Sequence, residues 1–368
     1  IRSAVTPNKK NAPASVEKLR EQLPVGTDVT DSCCKKLESI GFKSNLPVLI
    51  FDTKCQELVD EPKIRTQLCT CSDEVDYNGW AGIEIRGSSS ARDHEKKGMA
   101  LQLWNTTGHD VEFPLLGLPK DEDWVLYGPE TDRSIGLRNF MAYNISRTMG
   151  NYASRTKFAE VFLQDDCKPL SMKDYHGVYL LEEKIKRHKK RVDVCKHDPE
   201  DITGGYIFKH DNDNIDKGDI VFPIKKRYNS RDLMPMVMTY PKGEKAQYER
   251  EVNYLEQYLN GFEMALQRKD FSDPEMGYAK YIDVDSFVDY FLGTEITKNP
   301  DAYRGSTYMH KDCGKPFAMG PMWDYNEAFG MCCGYPIEGY MNSGKSNGIS
   351  GGSAISTNGW RFNICEDE

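Results

Sequence analysis

The chain has 368 residues, a net charge of −9 and a hydrophobic fraction of 39%, with a mean hydropathy of −0.64. That length suits one large domain or two ordinary ones, and an aromatic content of 11% argues against general disorder. No run approaches the roughly 18–20 apolar residues of an integral membrane span, and the negative balance argues against nucleic acid as a generic partner.

Residues 1–45 read as a polar lead-in, broken by Pro7, Pro13 and Pro24. The first residue is Ile1, as expected of a mature or trimmed product. Residues 46–80 read as a small β region. Leu46–Thr53, LPVLIFDT, is an apolar run of strand formers, and Lys63–Cys71 alternates in part and pairs with it. Ala81–Ser90 and Lys96–Trp104 alternate again and form a hairpin-like unit. Arg133–Met149 has helical spacing through Ile135, Phe140, Ile145 and Met149. Phe158–Leu163 and Gly177–Ile185 are the next two strands, and the basic run Lys184–Arg191 follows, most simply a solvated face. Residues 198–243 look like an elaborated loop region with short strands. Glu244–Asp270 is the clearest helix, with a core stripe at Tyr248, Val252, Leu255, Leu259, Phe262 and Leu266.

A second helix, Val284–Lys298, stops at Pro300. It empties into a loop carrying Asp301. A strand, a turn at Cys313–Lys315 and another strand lead to a second loop carrying Asp324. A hairpin between two such loops brings both carboxylates to one end of the structure. That arrangement suits metal-assisted phosphoryl transfer, in which one carboxylate positions the nucleophile and the other holds the metal. Residues 335–368 form a Gly/Ser-rich tail, as if the domain ended early. Eleven cysteines favour an oxidising compartment and structural disulfides, with at least one thiol unpaired within the chain. Asn105-Thr-Thr and Asn144-Ile-Ser are glycosylation sequons that fit a secretory route.

Strand–turn–strand, helix, two strands, basic linker, helices and carboxylate hairpin is also the order of elements in a protein kinase. None of the standard kinase signatures is present literally. Other motifs are more telling. Arg86-Gly-Ser-Ser-Ser90 with Lys96-Lys97 resembles the RG-x-S-S…KK signature of the spore-coat CotH kinase family. Leu115–Ser134 resembles that family's LPxxxDWVLY block, and LRN follows at 137–139. Gly177–Val194, Asp201–Lys209 and Gly320–Gly330 resemble three further segments, so the likeness runs in order from about Leu46 to Gly330.

The resemblance implies an α+β, atypical protein-kinase-like two-lobed fold with an N-terminal β extension. Residues 81–197 would form the small lobe and 198–334 a shortened large lobe. It implies an atypical serine kinase, secreted or displayed at the cell or spore surface, that uses ATP and Mg²⁺ (or Mn²⁺) on Ser, or Thr, of a Ser-rich protein. The rival expectations are a surface adhesin or invasin that meets a host or surface receptor, and a structural coat protein. In the kinase reading Asp301 takes the place of the catalytic-loop Asp, and its plainer reading is a helix-terminating turn. Asp324 takes the place of the metal-loop Asp. Asn326 either adds a carbonyl ligand or caps a turn. Ser306 stands where a kinase loop carries a metal-binding Asn. Gly87, Ser88, Ser89 and Ser90 shape a phosphate-covering turn or a surface hairpin. Lys97 is preferred to Lys96 as the phosphate cation, with Arg86 competing. Glu183 lies near adenine or ribose or is an exposed strand-end charge, and Lys184 overlaps the phosphate region.

Overall fold

The computed structural model describes residues 33–211, 215–225, 233–299 and 305–330. They fall into two compact units, one within 1–135 and 156–184, the other within 136–155 and 185–368.

The first unit begins with α1 (Cys33–Ser39), followed by β1 (Val48–Asp52), β2 (Ile64–Cys71) and β3 (Asn78–Arg86). The short helix α2 (Ser89–Asp93) separates β3 from β4 (Gly98–Trp104), and β5 (Asp123–Tyr127), β6 (Thr156–Gln164) and β7 (Tyr175–Glu183) complete the set. The seven strands close into a barrel in the order β1-β2-β3-β4-β5-β7-β6. Closure is made by the parallel pair β1 and β6, with Ile50 opposite Phe162, while the other neighbours are antiparallel. A closed barrel leaves no unpaired edge along its ladder.

The apolar run in β1 has a physical cause. Leu49 and Phe51 join the barrel core with Leu68, Ile83, Leu101 and Trp124. Val48 and Ile50 face the other way, yet they too are buried, in a cluster with Cys33, Leu37 and Phe162. With both faces covered, the strand has no solvent side on which to alternate. Cys33–Cys69 and Cys34–Cys71 fasten α1 to β2, and Cys55–Cys167 links the segments after β1 and after β6.

The second unit is built on an antiparallel sheet in the order β12-β11-β8-β10-β9. Its strands are β8 (Tyr206–His210), β9 (Ile220–Lys225), β10 (Leu233–Tyr240), β11 (Thr307–Lys311) and β12 (Phe317–Met319). Its helices are α3 (Leu137–Thr148), α4 (Glu249–Leu266) and α5 (Val284–Thr297). Helix α4 packs on β9, α5 on β12, and α3 on α5. The stripe predicted for α4 is buried at Val252, Leu255, Leu259, Phe262 and Leu266. Phe262, Phe287 and Phe208 gather around Phe317, with ring centroids 5.3–6.0 Å apart.

This architecture overturns the expected kinase-like two-lobed α+β fold. The supposed N-terminal β extension, β1 and β2, is part of the wall of a closed barrel. The supposed helical large lobe, 198–334, is a five-stranded sheet with two α-helices among the described residues, and α3, expected in the small lobe, belongs to the same unit as that sheet. The pairings of β1 with β2 and of β3 with β4 match the expectation, but β5 is an unpredicted strand between β4 and β7, and closure depends on a parallel pair linking β1 to β6, more than 100 residues later. Local patterning carries no trace of such a contact. Residues 198–243, expected to be an elaborated loop region with short strands, supply three of the five strands of this sheet.

Four disulfides join described residues. No described helix is long and apolar enough to cross a membrane. The disulfides fit a secreted or surface protein.

Candidate functional site

In the second unit the β11–β12 hairpin turns at Asp312–Lys315 and is tied there to the segment before β8 by Cys195–Cys313. At the opposite end of β11 stands Ser306, and beyond β12 the chain runs into the loop of Asp324. Both residues adopt left-handed backbone, φ +48° for Ser306 and +65° for Asp324. Non-glycine residues in that region cluster at functional sites. Their side chains meet: Ser306 Oγ donates to Asp324 Oδ2 at 3.1 Å.

The loop around Asp324 is held from several sides. Its N–H donates to the Tyr143 hydroxyl on α3 at 3.2 Å, and the Tyr325 N–H donates to Asn139 Oδ1 at 2.8 Å. Trp323 stacks on Tyr143 with centroids 5.9 Å apart and planes 10° from parallel. Met322, Trp323, Tyr325 and Ala328 are buried. Tyr325 bonds Thr294 on α5 at 3.0 Å, and the Phe329 N–H donates to the Thr297 carbonyl. Tyr290 of α5 bonds Thr307 and Tyr325, and burial pushes its phenol up to about 12. Gly293 permits the close approach of Met322, since an added Cβ would lie 2.1 Å from its Cε.

The Ser306–Asp324 pair is chemically suited to a hard cation. Both side chains offer the oxygen ligands that Mg²⁺ prefers, and here the two oxygens are joined by a hydroxyl-to-carboxylate hydrogen bond. Asn326 turns its Nδ2 toward Glu327 Oε1, 3.1 Å away. Asp301 lies outside the described residues.

The barrel unit carries the other candidates. Arg86 closes β3 opposite Gly98. Gly87 has φ +117°, and a Cβ there would meet Ser90 Oγ at 2.2 Å, so the turn requires glycine. Ser88 occupies the position before α2 without a side-chain cap, and Ser89 opens the helix. Strand β4 begins only at Gly98, so its alternation does not orient the two lysines before it. Lys97 Nζ donates to the Ala91 carbonyl at 2.7 Å. Lys96 Nζ donates to the Val178 carbonyl at 2.6 Å and lies 4.7 Å over the Tyr179 ring, while the Lys96 N–H donates to Glu130. Burial lowers the Lys96 pKa, against the pull of the Glu160 and Glu130 carboxylates.

Glu183 is fully buried, paired with Trp124 of β5 in the register, so the exposed strand-end alternative does not hold. Lys184 is half-buried. Nor is the basic run uniformly solvated. Lys189 and Lys190 are exposed, but Arg191 is buried, and Arg187 reaches the Val194 carbonyl at 3.2 Å.

Ser306, Asp324 and Asn326 thus belong to one end of the second unit, and Arg86, Gly87, Ser88, Ser89, Lys97, Glu183 and Lys184 to the barrel unit. Sequence reasoning missed the residues that hold the Asp324 loop: Asn139, Tyr143, Tyr290 and Thr294. The one available signal was LRN at 137–139, part of the family likeness, which carried no assigned role.

No curated protein matches the chain. A family model described as CotH kinase protein matches residues 83–368, spanning the strands from β3 onward, α3 and the Asp324 loop. With more than half of its length matched in this way, the chain belongs to the CotH kinase protein family.

Proposed function

We propose that the protein is an ATP- and Mg²⁺-dependent kinase that phosphorylates serine, or threonine, on secreted or surface proteins. The observation that carries this reading is the Ser306–Asp324 oxygen pair, 3.1 Å apart on a loop anchored to two helices. Mg²⁺, or Mn²⁺ in its place, supplies neutralisation of charge on the ATP phosphates as the γ-phosphoryl group passes to the acceptor hydroxyl. The chain's own part is positioning and electrostatics. Asp324 and Ser306 would hold the cation, and the Asn326 carbonyl oxygen would be an additional hard donor. Tyr143 and Asn139 hold the backbone of the Asp324 loop, and Ser306 holds the carboxylate, which lowers the ordering cost on the reacting complex. Asp301 orients the acceptor hydroxyl and takes its proton, the role carried by the family likeness. The family likeness also gives Arg86, Lys97 and the Gly87 turn of the barrel unit a part in phosphate binding, through side-chain charge and backbone N–H groups. The four disulfides support action on the secretory route.

The test is incorporation of γ-labelled phosphate from ATP, with Mg²⁺ or Mn²⁺, into the protein itself and into a Ser-rich acceptor. Wild type should incorporate label and Asp324→Ala should lose it by at least about 100-fold, the scale of a lost transition-state charge contact. Equal incorporation by the two would rule out the kinase reading.

A further inference from the structure

The sequence holds two Asn-x-Ser/Thr triplets, and the fold treats them in opposite ways. Asn105-Thr106-Thr107 opens the turn that follows β4. The turn is closed by the Asn105 N–H to the His109 carbonyl at 2.8 Å and by the Gly108 N–H to the Asn105 carbonyl at 3.1 Å. Thr106, Thr107, Gly108 and His109 are exposed. Asn105 Oδ1 accepts three bonds, from the Thr107 N–H at 2.9 Å, the Thr107 hydroxyl at 2.8 Å and the His109 N–H at 3.0 Å. Its Nδ2 takes no hydrogen bond among the described residues. The half-buried Asn105 carboxamide is therefore held by its oxygen, at the start of an exposed turn, with the nitrogen uncommitted to any described residue. The Thr107 hydroxyl that a glycosyl-transferring enzyme must read is exposed beside it.

Asn144-Ile145-Ser146 lies within α3. Asn144 Nδ2 donates to the Phe140 carbonyl at 2.7 Å, and its Oδ1 accepts from Arg147 Nη2 at 2.6 Å. Arg147 is in turn committed to the Ala153 and Ser154 carbonyls at 3.2 and 2.5 Å. Ser146 is only 5% exposed. A sugar on this nitrogen would stand on a half-buried helix face and disturb the bonds that join the end of α3 to the chain after it.

We infer that Asn105 is an N-glycosylation site of this protein and that Asn144 is not. The donor class is a polyprenyl-diphosphate-linked oligosaccharide. The Asn105 Nδ2–C1 bond forms as the sugar C1–oxygen bond to the diphosphate breaks. The polyprenyl diphosphate leaves, and the amide proton passes to a base of the transferring enzyme. Transfer can precede folding, so the fold acts as the filter: a chain modified at Asn105 completes it, whereas one modified at Asn144 does not. The sugar has a defined place on the barrel. Strand β4 runs from Gly98 to Trp104, so the glycan sits about 20 Å along the strand from Lys96 and Lys97. The two lysines stand at the other end of that strand.

The site is tested on protein secreted from a eukaryotic host. Peptide N-glycosidase treatment in heavy-oxygen water converts each occupied Asn to a labelled Asp, which peptide mass mapping locates. Label at residue 105 alone is expected. Asn105→Gln and Thr107→Ala should each lower the intact mass by one whole glycan, while Thr107→Ser and Asn144→Gln leave it unchanged. Phosphate incorporation by Asn105→Gln should equal that of wild type. Label at residue 144, an unlabelled residue 105, or secreted protein without glycan would each overturn the assignment. Because mapping is done on wild type, a poorly folding variant cannot mask the answer.

Discussion

Replacing Asn139 with alanine is the sharpest test of how the Asp324 loop is held. Asn139 is 2% exposed and accepts the Tyr325 N–H at 2.8 Å, and Tyr325 is fully buried. The substitution removes the acceptor and leaves that N–H in a dry environment with no replacement. A buried donor left without its partner costs about 1–3 kcal/mol, more than the roughly 1 kcal/mol net value of an ordinary bond. With the side-chain packing lost as well, about 2–3 kcal/mol is expected. For a unit of this size that lowers Tm by roughly 4–12 °C. Tyr143→Phe removes the bond to the half-buried Asp324 N–H, a loss that should cost about 1 kcal/mol. Both side chains hold adjacent residues of one loop, so the double variant should cost less than the sum of the singles. Thermal or urea unfolding gives the energies, and Mn²⁺ binding followed by electron paramagnetic resonance reports on Asp324. Asn139→Ala with wild-type unfolding and wild-type Mn²⁺ affinity would refute the claim that this residue positions the loop.

Three more expectations concern the second unit. Lys311 is 2% exposed, donates to the Thr203 and Lys315 carbonyls at 2.6 Å each, and burial lowers its pKa from 10.5 to about 8. The unfolded chain therefore holds more protons between about pH 8 and 10.5, so stability should rise through that window by about 3 kcal/mol. Lys311→Met should abolish the rise, and parallel pH dependences for the two proteins would contradict it. Cys195–Cys313 closes a separation of 118 residues. The double variant Cys195→Ala/Cys313→Ala should lose about 4–5 kcal/mol on chain-entropy grounds, read by urea unfolding. An unchanged midpoint would exclude this clamp. Ser306→Ala should weaken Mg²⁺ half-saturation of phosphate incorporation by about tenfold, the equivalent of about 1.4 kcal/mol, and Ser306→Asn should restore it. Equal half-saturation in all three would remove Ser306 from the metal set.

What the sequence reveals follows the range of the interactions. The hairpin β11–β12, the pairing of β3 with β4 and the stripe on α4 rest on neighbours within a few residues, and alternation or 3.6-residue spacing reports them directly. The closing pair β1 and β6 leaves no such mark. Each strand is apolar for its own local reasons, and nothing in LPVLIFDT names a partner more than 100 residues on. The same limit hides Asn139 and Tyr143, ordinary residues in a helix that matter because a loop nearly 190 positions later donates to them. Charge misleads in another way. Glu183 and Arg191 look like surface groups because most charges are, yet both are buried. The lysine pair shows the cost of extending a pattern too far, since the alternation of β4 stops at Gly98 and does not choose between Lys96 and Lys97.

Helix α3 is encoded between β5 and β6, inside the span of the barrel, but it packs with α5. A nascent chain makes this a matter of timing. Roughly 150 residues separate the start of α3 from the start of α5. At 5–20 residues per second, α3 therefore waits about 7–30 s for its partner after it is synthesised. During that interval Ala142, Tyr143 and Asn139, all buried in the finished fold, have no surface to bury against. No single cut in the chain separates the two units, and a fragment ending at Lys184 would complete the barrel while stranding this helix. Synthesis of this protein thus contains a stretch when a chaperone has a defined client segment, residues 136–155, and when a pause or truncation would be most damaging.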